Sequence, residues 1–254
     1  MLDKETAQQL SQELKIDLFT IYREYLQILF LKYLYRQRES QKIYFKGGTA
    51  LRFLYGSFRF SEDLDFTSML FAKKLEQLIN QSLQALSKEE PGVAFKRMDS
   101  IGISYVGRVF LEVPEYKFPL TVRLDFSLRE KPVLPVKSSF LETIFPVAPY
   151  PYVSHLTIEE MLAEKVRDIL TRCRGRDVFD LWFMLSKKVS IDWDLVNRKM
   201  AIYNKKVNYE DLRKGIEKFP QEEIKSDLTK FLPISHRNLI KELKTLLLEK
   251  IKMP

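Results

Sequence analysis

Two aspartates separated by one residue, Asp63 and Asp65 in Glu62-Asp63-Leu64-Asp65-Phe66, are the first place where this sequence can do chemistry. Successive side chains of a strand alternate faces, so the two carboxylates share one face while Leu64 and Phe66 share the other. Held this close they repel, which is costly unless a cation lies between them or one takes a proton. Oxygen-only pairs suit Mg²⁺, which commonly takes one or two carboxylates and completes its shell with water and phosphate oxygens. The plainer reading is a pair that decorates a solvated strand end or turn. A third carboxylate, Asp125 in Val122-Arg123-Leu124-Asp125-Phe126, stands on the polar face of a second alternating segment. If the two strands are neighbours, Asp63, Asp65 and Asp125 make a site for one or two metals. Two metals about 3.5–4 Å apart would clamp the attacking and leaving oxygens of an in-line displacement. Alone, Asp125 is an ordinary surface aspartate beside Arg123.

Gly47-Gly48-Thr49 precedes the helix-like stretch Ala50 to Gly56. Glycines let a backbone approach a ligand closely, and the amides at a helix N-terminus favour phosphate. Thr49 is equally a competent N-cap. Placed just upstream of the aspartates, the turn supplies a triphosphate cradle next to a metal site, and each feature explains the other.

The elements that must position these residues can be read from periodicity. Lys4 to Glu39 carries Leu10, Leu14, Leu18, Ile21, Tyr22, Tyr25, Leu29 and Leu34 at helical spacing with no Gly or Pro, which predicts one long helix or two shorter ones. From Ile43 to about Val147 short apolar runs (IYF, DLDF, VAFKRM, ISYVGRVFLEV, PLTVRLDFSL) predict strands, with helices at Thr49 to Tyr55 and Phe71 to Ser87. PVLPVKSSF (Pro132 to Phe140) and PVAPYPY (Pro146 to Tyr152) have the composition of linkers. From Thr157 the pattern is helical again, through Thr157 to Thr171, Arg176 to Ser186 and charged segments up to Lys252. The expected layout is a mixed α/β (α+β) protein. Residues 1–150 form the sheet core with its leading helices, and residues 151–254 form a helical C-terminal domain.

Composition narrows the classes. No apolar stretch is long enough to cross a membrane, since the longest, Ile28 to Leu34, is cut by Lys32. Residues 1 to 20 lack the pattern of a secretory leader, so a cytoplasmic protein is expected. Cys173 is the single cysteine, which excludes an intrachain disulfide and a thiolate zinc cluster. His155 and His236 lie far apart, so a bound metal would be held by oxygen. A net charge of +8 favours a polyanionic partner such as RNA, DNA or nucleotide phosphates.

Together, KGGTALRFLYGSFRFSEDLDF resembles the first signature of the DNA polymerase β-type nucleotidyltransferase superfamily. Its wording is similar to that of the AbiEii/AbiGii family, toxins of type IV toxin–antitoxin and abortive-infection systems. The resemblance runs from about Ile43 to Leu185 and implies a polymerase β-like sheet core. It also implies a lysine in a helical third motif and an aspartate in a fourth. Lys165 lies on the apolar stripe Ile158, Met161, Leu162, Ile169, where a lysine needs a partner or a way out to solvent. The resemblance sends it to the nucleotide phosphates. Asp180 is the one carboxylate in Val178 to Leu185 and must be paired, hydrogen-bonded or facing a polar cavity. The stretch GRDVFDLWFML is similar to the family's RDxYDL motif, with Phe179 where tyrosine is common. Asp177, with Arg176, orients Asp180 or the lysine, or forms a simple salt bridge within the helix hairpin. Arg172, Arg174 and Arg176 share a turn suited to a triphosphate or an RNA backbone, or to plain solvation. Ser61 is a turn residue that the resemblance makes a phosphate ligand.

What the resemblance implies is transfer of an NMP from an NTP to an acceptor hydroxyl. Mg²⁺, or Mn²⁺ in its place, would sit on Asp63, Asp65 and Asp125. Gly47, Gly48, Thr49, Ser61, Lys165 and Arg176 would hold the nucleotide, and Asp180 would organise the lysine. The implied partners are an RNA acceptor such as a tRNA 3′ end and a cognate antitoxin. A catalytically silent, transferase-like nucleic-acid-binding or interaction protein is the alternative, and a phosphodiesterase using the same carboxylates is a second.

Overall fold

The computed structural model describes residues 2–98, 103–114 and 116–251. Contacts divide the chain into two compact units, Met1–Leu156 and Thr157–Pro254.

The first unit opens with α1 (Lys4–Leu14) and α2 (Leu18–Tyr35). They are separate helices because Lys15 takes the left-handed conformation, φ 54°, that ends α1, while Asp17 caps α2 by accepting from the Thr20 amide at 2.9 Å. Seven strands follow: β1 (Ile43–Lys46), β2 (Asp63–Ser68), β3 (Val93–Met98), β4 (Ser104–Leu111), β5 (Leu120–Ser127), β6 (Lys137–Phe140) and β7 (Tyr152–His155). They form one mixed sheet in the order β3-β4-β5-β2-β1-β7-β6. Between strands lie α3 (Gly47–Tyr55) and α4 (Ala72–Glu89).

The register decides which side chains meet. β2 and β5 run parallel as direct neighbours, with Asp63 opposite Arg123 and Asp65 opposite Asp125. Leu64, Phe66, Val122, Leu124 and Phe126 are all buried, and the Phe66 and Phe126 rings stack at 4.5 Å. That buried row locks the register, because a one-residue slip would turn the apolar set outward. α2 packs against α1, α4, β5 and β7 and is buried along nearly its whole length.

Two segments expected as linkers belong to the sheet. Lys137–Phe140 is an edge strand and Tyr152–His155 pairs with both it and β1. Their prolines fall just outside the paired residues, where no ladder hydrogen bond is lost, and the Leu141 amide donates to the Pro151 carbonyl at 2.8 Å. β7 therefore lies with the sheet, although a boundary after residue 150 would have given it to the helical part.

The second unit holds α5 (Ile158–Thr171), α6 (Gly175–Ser186), α7 (Trp193–Met200), α8 (Tyr209–Lys218), α9 (Gln221–Leu228) and α10 (Leu239–Lys250). Thr157 caps α5 by accepting from the Glu160 amide at 3.3 Å. Leu162, Val166, Val178, Leu181, Val196 and Leu243 are among its fully buried residues. Lys252, the expected limit of the helical pattern, lies outside the described residues. Among the described residues no helix is long and apolar enough to cross a membrane.

Candidate active site

The pairing of β2 with β5 places Asp63, Asp65 and Asp125 on the same face of adjacent strands, opposite the buried phenylalanines. Asp125 is engaged by its own strand: Arg123 Nη2 donates to Asp125 Oδ2 at 2.8 Å. Among the described residues no three His, Cys, Asp or Glu side chains are closed into a ready-made metal cage. The donor set nonetheless fits Mg²⁺. It is all oxygen, and Mg²⁺ is commonly held by one or two carboxylates plus substrate phosphates rather than by a cage of protein ligands. Asp63 and Asp65 are the residues that would hold it, with Asp125 opposite Asp65 on the neighbouring strand.

Gly47 explains the double glycine. Its φ is +79°, and a Cβ built on it would sit 2.3 Å from Asp65 Oδ2. Both the left-handed backbone and the close approach of the carboxylate require that there be no side chain. Asp65 is thereby drawn against the turn that opens α3, where the helix dipole favours negative charge. α3 begins two residues earlier than expected, with Lys46 as its N-cap and no side-chain cap hydrogen bond. Thr49 is thus not a cap. It is buried in the first turn, and its hydroxyl donates to the Asp63 carbonyl at 2.5 Å, tying the helix start to β2. Ser61 is half-buried, and its carbonyl accepts from Gln27 Nε2 of α2 at 3.0 Å.

Sequence reasoning missed the brace behind this turn. Arg52 of α3 pairs with Glu24 of α2 through two nitrogens, donates to the Ser57 carbonyl at 3.1 Å, and lies 3.6 Å over the Phe60 ring. Its only sequence signal is a charged residue within each of two largely apolar helices, Arg52 in α3 and Glu24 in α2.

In the helical unit, α5 and α6 bring Lys165, Asp177 and Asp180 together. Lys165 Nζ lies 2.7 Å from Asp177 Oδ1 and 2.9 Å from Asp180 Oδ2, with Asp180 fully buried. The Asp177–Lys165 bond fits both readings of Asp177, as a salt bridge within the helix hairpin and as a residue that orients the lysine. Burial, and then the Asp177 charge, raise the pKa of nearby Asp168 against the pull of Lys165 and Arg172. Of the arginine turn, Arg172 pairs with Asp168 at 3.0 Å, and Arg176 sits 5.1 Å over the Phe231 ring. Cys173 is partly buried with its thiol pushed up to about 12, first by burial and then by Asp177, so it is no nucleophile at neutral pH. A second buried charge cluster, Lys199 Nζ with Glu160 at 2.6 Å and Glu164 at 3.0 Å, joins α5 to α7. His155 is buried between the Leu156 carbonyl, 2.7 Å from Nδ1, and Ser139 Oγ, 3.0 Å from Nε2.

Residues 29–245 match the family described as the AbiEii nucleotidyl transferase toxin of type IV toxin–antitoxin systems. The chain belongs to the AbiEii family. By that membership it is a nucleotidyltransferase of the toxin class. No curated protein matches it. Among solved structures it is similar to MenT4, a nucleotidyltransferase toxin of Mycobacterium tuberculosis H37Rv, at 19% identity over 97% of this chain and 90% of that chain, with a TM-score of 0.59. It is also similar to JHP933 of Helicobacter pylori, at 19% identity over 93% of this chain and 94% of that chain, with a TM-score of 0.58. At such identity the likeness speaks for the fold. In this AbiEii chain the Gly-Gly-Thr turn, the paired aspartates and Asp125 form one connected arrangement, while Lys165 and Asp180 form another within the helical unit.

Proposed function

We propose that the β2–β5 face of this AbiEii chain transfers an NMP from an NTP to an acceptor hydroxyl. The observation that carries this is the parallel register that sets Asp65 opposite Asp125, with Gly47 holding no side chain against Asp65. The acceptor oxygen attacks the α-phosphorus, the bond from that phosphorus to the oxygen bridging to the β-phosphorus breaks, and pyrophosphate leaves. Asp125 takes the proton of the attacking hydroxyl after exchanging Arg123 for the substrate. Mg²⁺, when bound by Asp63 and Asp65, would neutralise the triphosphate and the charge that builds on the leaving group. The first-turn amides of α3, at Gly47 and Gly48, hold the phosphates. Thr49, whose hydroxyl donates to the Asp63 carbonyl, fixes that turn against β2. The part of Lys165 as a fixed positive charge for the phosphates rests on the resemblance to the family, and so do the nucleotide contacts of Ser61 and Arg176.

The acceptor proposed is RNA, with a tRNA 3′ end as its leading example, acted on in the cytoplasm until a cognate antitoxin intervenes. The charge of +8 supports a polyanionic acceptor, and the type IV family supports an antitoxin. The test is incubation of the protein with Mg²⁺, each α-phosphate-labelled NTP in turn and total tRNA, beside Asp65→Ala. Label in RNA with the wild type alone supports the reading and names the nucleotide. A wild type that binds Mg²⁺–NTP but labels no RNA excludes tRNA as the free-standing acceptor.

A further inference from the structure

α2 does more than cover the sheet. Glu24 pairs with Arg52 of α3, and Gln27 holds the Ser61 carbonyl at 3.0 Å, so this face of α2 is pinned to the segment that leads into Asp63. Arg23 lies on the same stretch of helix and is poorly satisfied there. Its side chain is 14% exposed, and its Nη1 lies 3.7 Å from Glu62 Oε2, beyond hydrogen-bond range. Its Nε is buried with no hydrogen-bond partner among the described residues. The guanidinium lies 5.0 Å from the Phe19 ring. Burial lowers its pKa, while Glu62, Asp17 and Asp63 act to keep it protonated. A guanidinium offers a planar fork of donors, and burying one whose nearest ion-pair carboxylate oxygen lies 3.7 Å away, beyond hydrogen-bond range, is costly. The cost is recovered when an acceptor of matching shape arrives, and a phosphate is that acceptor. The neighbouring carboxylates Glu62 and Asp63 would repel a phosphate that came without such a cation.

We infer that Arg23 is a nucleotide-binding residue of the carboxylate face, its guanidinium receiving a phosphate oxygen of the NTP beside Asp63. The inference rests on the reading that the NTP binds at Asp63 and Asp65. Glu62 is then the residue that occupies Arg23 when no nucleotide is present, and the two should oppose each other in binding.

The experiment titrates Mg²⁺ with ATP, GTP, CTP and UTP into the wild type, Arg23→Gln, Arg23→Lys, Glu62→Gln and Asp65→Ala, each checked for an intact melting transition. A dye-labelled single-stranded RNA oligonucleotide is titrated in parallel. Loss of a charge-assisted hydrogen-bond pair predicts NTP binding weaker by about ten- to a hundredfold in Arg23→Gln. Part of that loss returns in Arg23→Lys, and Glu62→Gln binds at least as tightly as the wild type. A purely structural ion pair would instead make Arg23→Gln and Glu62→Gln behave alike, which overturns the inference. Wild-type NTP affinity in Arg23→Gln with loss in Asp65→Ala overturns Arg23 and leaves the site standing. NTP affinity unchanged in both overturns the site as well. Weakened RNA binding with NTP binding intact assigns Arg23 to the acceptor and overturns its place on the nucleotide.

Discussion

Replacing Lys165 by Met should destabilise the helical unit by several kcal/mol. Its ammonium is shared by Asp177 at 2.7 Å and Asp180 at 2.9 Å, whose side chains are 4% and 0% exposed. Removing one partner of a buried ion pair costs about 3–5 kcal/mol. An escape route sets a ceiling, because one aspartate can take a proton. From an ordinary carboxylate value near 3.9, that costs at pH 7 about 1.4 kcal/mol for each of roughly three pH units, or about 4 kcal/mol. The expected loss at pH 7 is therefore about 3–4 kcal/mol. In the variant the folded state holds one proton more than the unfolded state over this range, so its stability relative to wild type rises as the pH falls. Roughly 2–3 kcal/mol of the loss should disappear by pH 5. Urea unfolding followed by tryptophan fluorescence is the assay, and it reports on this unit because Trp182 and Trp193 are the only tryptophans. Adding Asp177→Asn should restore part of the stability at pH 7. A loss below about 1 kcal/mol, or one that is the same at both pH values, would refute the idea that Lys165 is clamped between two buried charges.

Gly47→Ala should cost about 1–2 kcal/mol for its left-handed backbone and, by pushing Asp65 aside, lower kcat/KM by roughly a hundredfold; near-normal turnover would show that Asp65 does not depend on the open glycine. Burial, reinforced by Lys137, lowers the pKa of His155. The unfolded chain then binds the proton more readily, so stability should fall as the pH drops through about 6.5, and His155→Gln should flatten the stability profile between pH 7 and pH 5. Cys173, with its thiol pushed up to about 12, should react with iodoacetamide at pH 8 on the order of a thousandfold more slowly in the native protein than in urea; equal rates would place the thiol in an open site.

The strands bearing the aspartates were legible because period-two alternation is local: Leu64 and Phe66 against Asp63 and Asp65, and Leu124 and Phe126 against Asp125. That the strands are direct parallel neighbours was not, since pairing across sixty residues leaves no local trace. β6 and β7 were hidden by their prolines, which mark turns by composition whether or not the intervening residues pair. Thr49 looked like a cap because its type suits one, but the left-handed Gly47 starts the helix earlier and turns the hydroxyl toward β2. The Glu24–Arg52 brace joins two helices with a strand between them, and neither residue breaks its own pattern in a way that names its partner. Lys165 and Asp180 were conspicuous as charges in apolar runs, although only the packed helices show that they satisfy one another.

The most direct test of the central claim separates nucleotide binding from chemistry on the β2–β5 face. Pyrophosphate release in the presence of Mg²⁺, NTP and RNA would be measured alongside NTP affinity for the wild type, Asp65→Asn and Asp125→Asn. If Asp63 and Asp65 hold the metal-bound triphosphate while Asp125 takes the acceptor's proton, Asp65→Asn loses both binding and release, and Asp125→Asn keeps binding but loses release. Release at the wild-type rate from Asp125→Asn would contradict that account.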